Sequence, residues 1–419
     1  MTLKIDNQAA DSLILRIADG INRTSFFFGP TVSDFTWATD ITKPLPGSLH
    51  DTVESICGDR GLAIFMYGQV MHRLLRSADY DETDTEDISK LEAFADRIKV
   101  ARDIVEELKA LPYKYRLAVP LPSSFSADFL DLCENYDLGS GLSICSGAYL
   151  ENQFPIETGV DLIDAAIASA VGKLDTLQPD SDTLYLVQNK SGYVSGQMES
   201  PMLAEFKSTH RQFLGAALAV KAVTGSGWHF DKSIGGYAIH HRKEGFELVS
   251  AEQMPPQLIE FYSRMHRPRP TKPETKKSPS TPSNRENKLS AIKSVFSNNE
   301  HSRGLSIATI WYLRSVLSQD TLDGLLESTI ALEALLGGAN SEGTKLSSLL
   351  GSRCAYLIGR SVKDRNDILK KFTEIYKLRS QIVHEGHHSF TKIERSLLTY
   401  SREMCRRAIV AEMRLPVGA

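Results

Sequence analysis

Residues 379–388, RSQIVHEGHH, carry two chemical patterns that share one histidine. Arg379 precedes His384 by five residues, while His384, Glu385 and His388 spell H-E-x-x-H. The second pattern works only on an unbroken helix, where imidazoles one turn apart reach a single metal and the carboxylate holds a water. Its two middle positions are Gly386 and His387, where a buried metal-binding helix carries apolar side chains. A glycine two residues beyond His384 has the character of a helix terminator. The spacing therefore predicts a helix over 364–384 that stops just past the histidine. The Arg–His pair is the favoured pattern, and the zinc-protease motif is the remote alternative.

Working outward, the chain after residue 289 is helical throughout. Apolar residues at three-to-four spacing predict helices at 289–297, 303–318, 320–336, 344–359, 364–384 and 390–413, joined by polar or glycine-bearing turns such as GGANSEG. This is an all-α bundle over 289–419. Ahead of it, residues 264–288 include RPRPTKPETKKSPSTPSNRENK, rich in Pro, Ser, Thr and Lys and without apolar periodicity, which predicts a linker.

Residues 1–263 form a mixed region. GLAIFMYGQVMHRLL, EDISKLEAFADRIKVARDIVEEL, GVDLIDAAIASAVGKL and MLAEFKSTHRQFLGAALAVKAV show helical spacing. YRLAVPL, DTLYLVQN and GYAIHHRKEGFELV read as strands, the last a hairpin turning at 242–245. The expectation is an α+β or α/β domain with a sensing or regulatory role. The stretch from Thr224 to Gly227 lacks the glycines and the Lys of a phosphate loop, and the adjacent His240 and His241 face opposite sides of a strand.

Composition fits an ordinary globular protein of 419 residues, 42% hydrophobic and 24% charged, long enough for two cores. No apolar run has the length of a membrane span, and the N-terminus carries acids and amides where a leader needs a basic start, so the cytoplasm is the expected compartment. The five cysteines form no C-x-x-C pair, and no cofactor or metal is expected. The net charge of −4 hides an asymmetry. Residues 1–263 hold 22 basic and 37 acidic side chains, whereas residues 289–419 hold 18 and 13. A mildly basic C-terminal part is compatible with a polyanionic substrate such as RNA.

Within the bundle, three charges interrupt apolar rows. Arg379 falls within the stripe Ile368, Leu369, Phe372, Ile375, Tyr376, Ile382 and Val383; Arg353 continues Leu346, Leu349, Leu350 and Leu357; Glu333 lies inside IALEALL. Unpaired buried ions cost several kcal/mol, so these groups are expected to pair with one another, to line a wet cleft or to face a second subunit. Arg379 is the only arginine in the chain with a histidine five residues on.

Residues 320–386, with LDGLLESTIALEALLG, KLSSLLGSRCAYLIG and IYKLRSQIVHEG, resemble the HEPN ribonucleases, in particular the Apea-like branch of bacterial antiphage proteins. The resemblance centres on Tyr376, Arg379, Ser380, Ile382, Val383 and His384 and covers the last third of the chain. It implies a metal-independent endoribonuclease, a homodimer with the site composed at its interface, and a role in abortive defence or as a toxin. Arg379 and His384 would be catalytic, with Ser380, Tyr376, Glu333 and Arg353 in support. Two positions depart from the family pattern. Ser380 stands where Asn, Asp or His is common, and Glu385 displaces the glycine that often follows the histidine. Five residues along a regular helix turn the chain by about 500°, which leaves Arg379 and His384 roughly 140° apart. Either the helix distorts near His384 or a second protomer contributes. The rival from another class is a non-catalytic HEPN module for dimerisation or partner binding.

Overall fold

The computed structural model describes residues 3–27, 31–33, 35–41, 47–75, 77, 85–153, 179–194, 200–225, 236–242, 246–266, 282–297, 300–337, 346–385 and 389–414. The chain opens with a helical lobe: α1 (Asn7–Arg23), α2 (Trp37–Asp40), α3 (Gly47–Cys57), α4 (Gly61–Leu75) and α5 (Arg97–Lys109). Strands β1 (Ser25–Phe27), β2 (Thr31–Ser33) and β3 (Thr85–Asp87) pair antiparallel at its side, in the order β2-β1-β3. Asp6 caps α1 by accepting from the Ala9 amide at 2.8 Å, and Leu13, Ile17 and Ile21, four residues apart, point into the lobe's own core with Phe65, Phe94 and Ile104. The helix expected across EDISKLEAFADRIKVARDIVEEL exists only in its second half. Asp96 accepts from the Lys99 amide and starts α5 there, while the preceding residues form β3 and two short 3-10 turns.

The second unit is a six-stranded antiparallel sheet, β4 (Tyr113–Pro120), β5 (Asn135–Gly139), β6 (Leu142–Ser146), β7 (Leu184–Gly192), β8 (Tyr237–Arg242) and β9 (Phe246–Glu252), ordered β5-β6-β7-β4-β8-β9. Antiparallel pairing throughout selects α+β from the two expected classes. Helices α6 (Ser123–Phe129), α7 (Gly147–Gln153), α8 (Pro201–Ala219) and α9 (Pro256–Arg264) complete it. The expected helix in 159–174, the hairpin turn at 243–245, Gly227 and most of the linker lie outside the described residues.

The last third is six helices, α10 (Pro282–Ser294), α11 (Glu300–Leu317), α12 (Thr321–Leu336), α13 (Leu346–Ile358), α14 (Val362–Glu385) and α15 (Lys392–Glu412). Asp320 caps α12 by accepting from Leu322 and Asp323, and Thr391 with Glu394 forms a capping box on α15. Helix α10 starts at Pro282, seven residues before the expected boundary, because proline suits the first turn of a helix. Among the described residues no helix is long and apolar enough to cross a membrane. All five cysteines are free and buried.

One apolar core runs from the sheet into these helices, joining Leu117, Leu186 and Phe213 to Leu305, Leu332, Phe372 and Met404. Helix α8 makes that continuity, with eleven of its residues buried on all sides. Gly215 lies against the Thr309 backbone of α11 so closely that a Cβ would overlap the Thr309 carbonyl. Two polar anchors seat the same helix. Arg406 of α15 donates to the Ala219 carbonyl at 3.2 Å, and fully buried His210 sits between two tyrosine hydroxyls, Nδ1 3.0 Å from Tyr237 and Nε2 2.8 Å from Tyr262.

Donor and acceptor accounting fixes that imidazole's tautomer. Tyr262 donates to the Pro120 carbonyl at 2.7 Å, so its oxygen accepts from His210 Nε2–H, which leaves Nδ1 to accept from Tyr237. Burial pushes the His210 pKa down from its ordinary 6.5 to about 3. Below pH 6.5 the unfolded chain takes up a proton that the folded chain refuses until about pH 3, so folding stability falls as pH drops through that window. Urea unfolding of the parent and of His210→Gln between pH 4.5 and 7 is expected to show a shallower acid-side decline in the variant, the difference amounting to a few kcal/mol at most.

Candidate active site around Arg379 and His384

Helix α14 is unbroken from Val362 to Glu385. Its buried line is Ile368, Phe372, Ile375 and Leu378, with Leu369, Tyr376 and Ile382 packed along the edges. Val383, expected to continue the buried stripe, is 50% exposed. The last turn of α12, which ends at Leu336, meets α14 at Arg379.

At this rim the Arg379 guanidinium meets Glu333, Nη2 to Oε1 at 3.5 Å, with both side chains about a third exposed, at 33% and 28%. Glu333 sits at the carbonyl end of α12, where the helix dipole disfavours a carboxylate, and Arg379 offsets that penalty. Tyr376, one turn earlier, stacks on Phe372 with centroids 4.6 Å apart and planes 14° off parallel. Burial, and the nearby Glu333 carboxylate, hold its hydroxyl pKa well above the usual phenol range. The pairing of Glu333 with Arg379 is one of the arrangements that the interrupted apolar rows anticipate.

Arg353 departs from its expected inward direction. It is exposed, and its Nη1 donates to the Leu336 carbonyl at 2.6 Å, closing the open end of α12. The face of α13 that is buried carries Leu350, Cys354, Ala355 and Ile358, so the exposed Leu349 and Tyr356 share the solvent side with Arg353. Ser380 and His384 are both exposed. Of the six candidates, then, Glu333, Tyr376 and Arg379 are brought together, Arg353 supports the same helix end, and Ser380 and His384 look out from another side of α14.

The unbroken helix decides one question. No distortion near His384 swings it toward Arg379, so regular geometry keeps the two side chains of one chain about 140° apart. They cannot grip one phosphate by themselves. The H-E-x-x-H pattern extends past the end of α14, and Gly386, His387 and His388 lie outside the described residues; among the described residues no three metal-ligating side chains cluster.

A feature the sequence reading passed over adjoins this rim. The outward face of α12 presents Leu326 and Ile330, half-buried and outside the core cluster, in the row that ends at Glu333. On neighbouring α11, Ile307 is 43% exposed and Trp311 lies partly open beneath the Arg314 guanidinium, 4.2 Å from its ring centroid. The signal was present in the sequence, since α12 carries apolar residues all round its circumference, more than one buried stripe requires.

Because the Arg379–Glu333 pair is long and solvent-screened, Arg379→Ala is expected to lower folding stability by about 1 kcal/mol or less, measured by urea unfolding, so that a functional defect in this variant reports chemistry rather than collapse. No family model, curated protein or solved structure matches the chain.

Proposed function

We propose that the chain is a metal-independent endoribonuclease that works as a homodimer, with Arg379 of one protomer and His384 of the other completing each cleft. One observation carries this reading: a continuous α14 holds the two groups on separate sides, both accessible to solvent, with Arg379 next to a half-buried apolar face on α12. A second copy seated on that face would bury Leu326 and Ile330 and supply the missing partner. The resemblance of residues 320–386 to HEPN ribonucleases supports the same arrangement.

The chemistry is transesterification. A base removes the proton from a ribose 2′-OH, O2′ attacks the adjacent phosphorus, and the 5′-oxygen leaves as it gains a proton. The products are a 2′,3′-cyclic phosphate and a 5′-OH. Imidazole titrates near neutrality and suits the proton transfers, which are the role of His384. Arg379 presents a planar fork of donors to the equatorial oxygens of the phosphorane. The acidic N-terminal half would sense a trigger or restrain cutting, in keeping with a toxin of abortive antiphage defence.

The Glu333 carboxylate engages Arg379 much as a phosphate would, and this favours a second reading, a non-catalytic module that uses the same helices for dimerisation. Incubating the purified chain with total RNA in EDTA separates the two. Cutting that survives chelation and is lost in both Arg379→Ala and His384→Ala is the expected result; a dimer that never cuts supports the second reading. Mixing the two inactive variants and allowing subunit exchange adds a sharper test. Random pairing leaves one intact Arg–His combination in half of the dimers, so about a quarter of parental activity returns if the site is shared between protomers, and none returns if it lies within one chain.

A further inference from the structure

We infer that the solvent face of α14 is a track for the RNA backbone, formed by Lys363, Lys370 and Lys377 and ending at His384. The inference deepens the endoribonuclease reading and rests on it for the identity of the polyanion. The four residues recur at intervals of seven, so on a regular helix they form a nearly straight row in which neighbours stand about 10 Å apart. All four are exposed. Asn366, Thr373 and Ser380 flank the row on one side, and Asp367, Glu374 and Gln381 on the other.

Several other lysines of the molecule are neutralised by their neighbours. Lys109, Lys190, Lys207 and Lys293 are all held by carboxylates, on Glu106, Glu205, Glu252 and Asp137. Lys363, Lys370 and Lys377 pair with no carboxylate among the described residues, although α14 itself carries acids. Of these acids Asp364 binds Arg407 of α15 and Glu374 binds Lys371, which leaves Asp367, exposed on the flank of the row, beside three lysines. Three like charges about one Debye length apart gain from an anion that spans them, and the spacing is too wide for one phosphate to bridge two lysines. A chain of phosphates fits this pattern. An anionic membrane fits it poorly, because no apolar side chain stands in the row to enter the bilayer. The row also runs up to the imidazole assigned to proton transfer, so a strand lying along it is delivered to the cleft.

The test is equilibrium binding of a fluorescently labelled single-stranded RNA to the full chain across a KCl series. The parent is compared with a triple Lys363→Gln, Lys370→Gln, Lys377→Gln variant, with the same three positions changed to Arg, and with Lys4→Gln, Lys90→Gln, Lys99→Gln on the N-terminal lobe. Each phosphate contact on a single strand contributes about 0.7 to the slope of log affinity against log salt, so the Gln variant at the row is expected to lose about 2 units of slope and about tenfold or more in affinity near 0.1 M salt. The Arg triple and the N-terminal triple are expected to match the parent. Unchanged affinity and slope in the row variant, no RNA binding by the parent, or preferential binding to phosphatidylserine vesicles each overturns the track. The readout does not depend on cleavage: a parent that binds along the row but never cuts defeats the endoribonuclease reading alone, and one that cuts while the row variant binds normally defeats the track alone.

Discussion

The close seat of α8 on α11 is the constraint from which the rest of the architecture follows. Glycine at 215 lets the two helix backbones touch at Thr309, and the helix is then walled by the sheet on one side and by α11 and α15 on the other. The polar cost of burying α8 so completely is met locally, by His210 between two hydroxyls and by Arg406 on the Ala219 carbonyl. Because α8 is shared, α11 and α12 are fixed against the sheet, and the last turn of α12 meets α14 at Arg379.

That last relation explains why a charge stands in an apolar row. Arg379 occupies the buried phase of α14 beside the last turn of α12, where its guanidinium is held by one carboxylate and remains in reach of water. Two groups of opposite demand are thereby satisfied: the helix end receives a cation near its exposed carbonyls, and the arginine stays available to an anion stronger than Glu333. Continuity of α14 keeps Arg379 and His384 of one chain apart, since a helix that does not bend cannot bring positions five apart to a common point, and the proposed shared site rests on that separation.

Much of the C-terminal third is legible from periodicity and punctuation. The ends of α12 and α15 follow from Asp320, Thr391 and Glu394, and α14 differs from its expected span by two residues at one end and one at the other. Direction within the helices is harder to read. In α13 the leucine row suggests an inward Arg353, yet small side chains, Cys354 and Ala355, form the contact face because a neighbouring helix approaches closely there. The part of the chain before the last third is least legible. Its first helix has Leu13, Ile17 and Ile21 at four-residue spacing within a polar run, and the β5–β6 hairpin turns through Gly139, Ser140 and Gly141, all at positive φ, between strands of only five residues. Short strands and mixed faces give weak periodic signals, and only tertiary pairing defines them. At the site, the pairing of Arg379 with Glu333 follows from the cost of buried charge, whereas the exposed side of α12 requires knowing which neighbours are absent.

The continuous core has a practical corollary. Severing the chain at Pro282 to isolate the helical third would remove α8 from beneath α11 and open Leu305, Ala308 and Tyr312 to water, so these helices are an organ of the whole body and not a detachable cartridge. The lobe before Leu111 builds a second interior, and Tyr193 from the end of β7 enters it against Phe65, so that lobe too is stitched to the sheet.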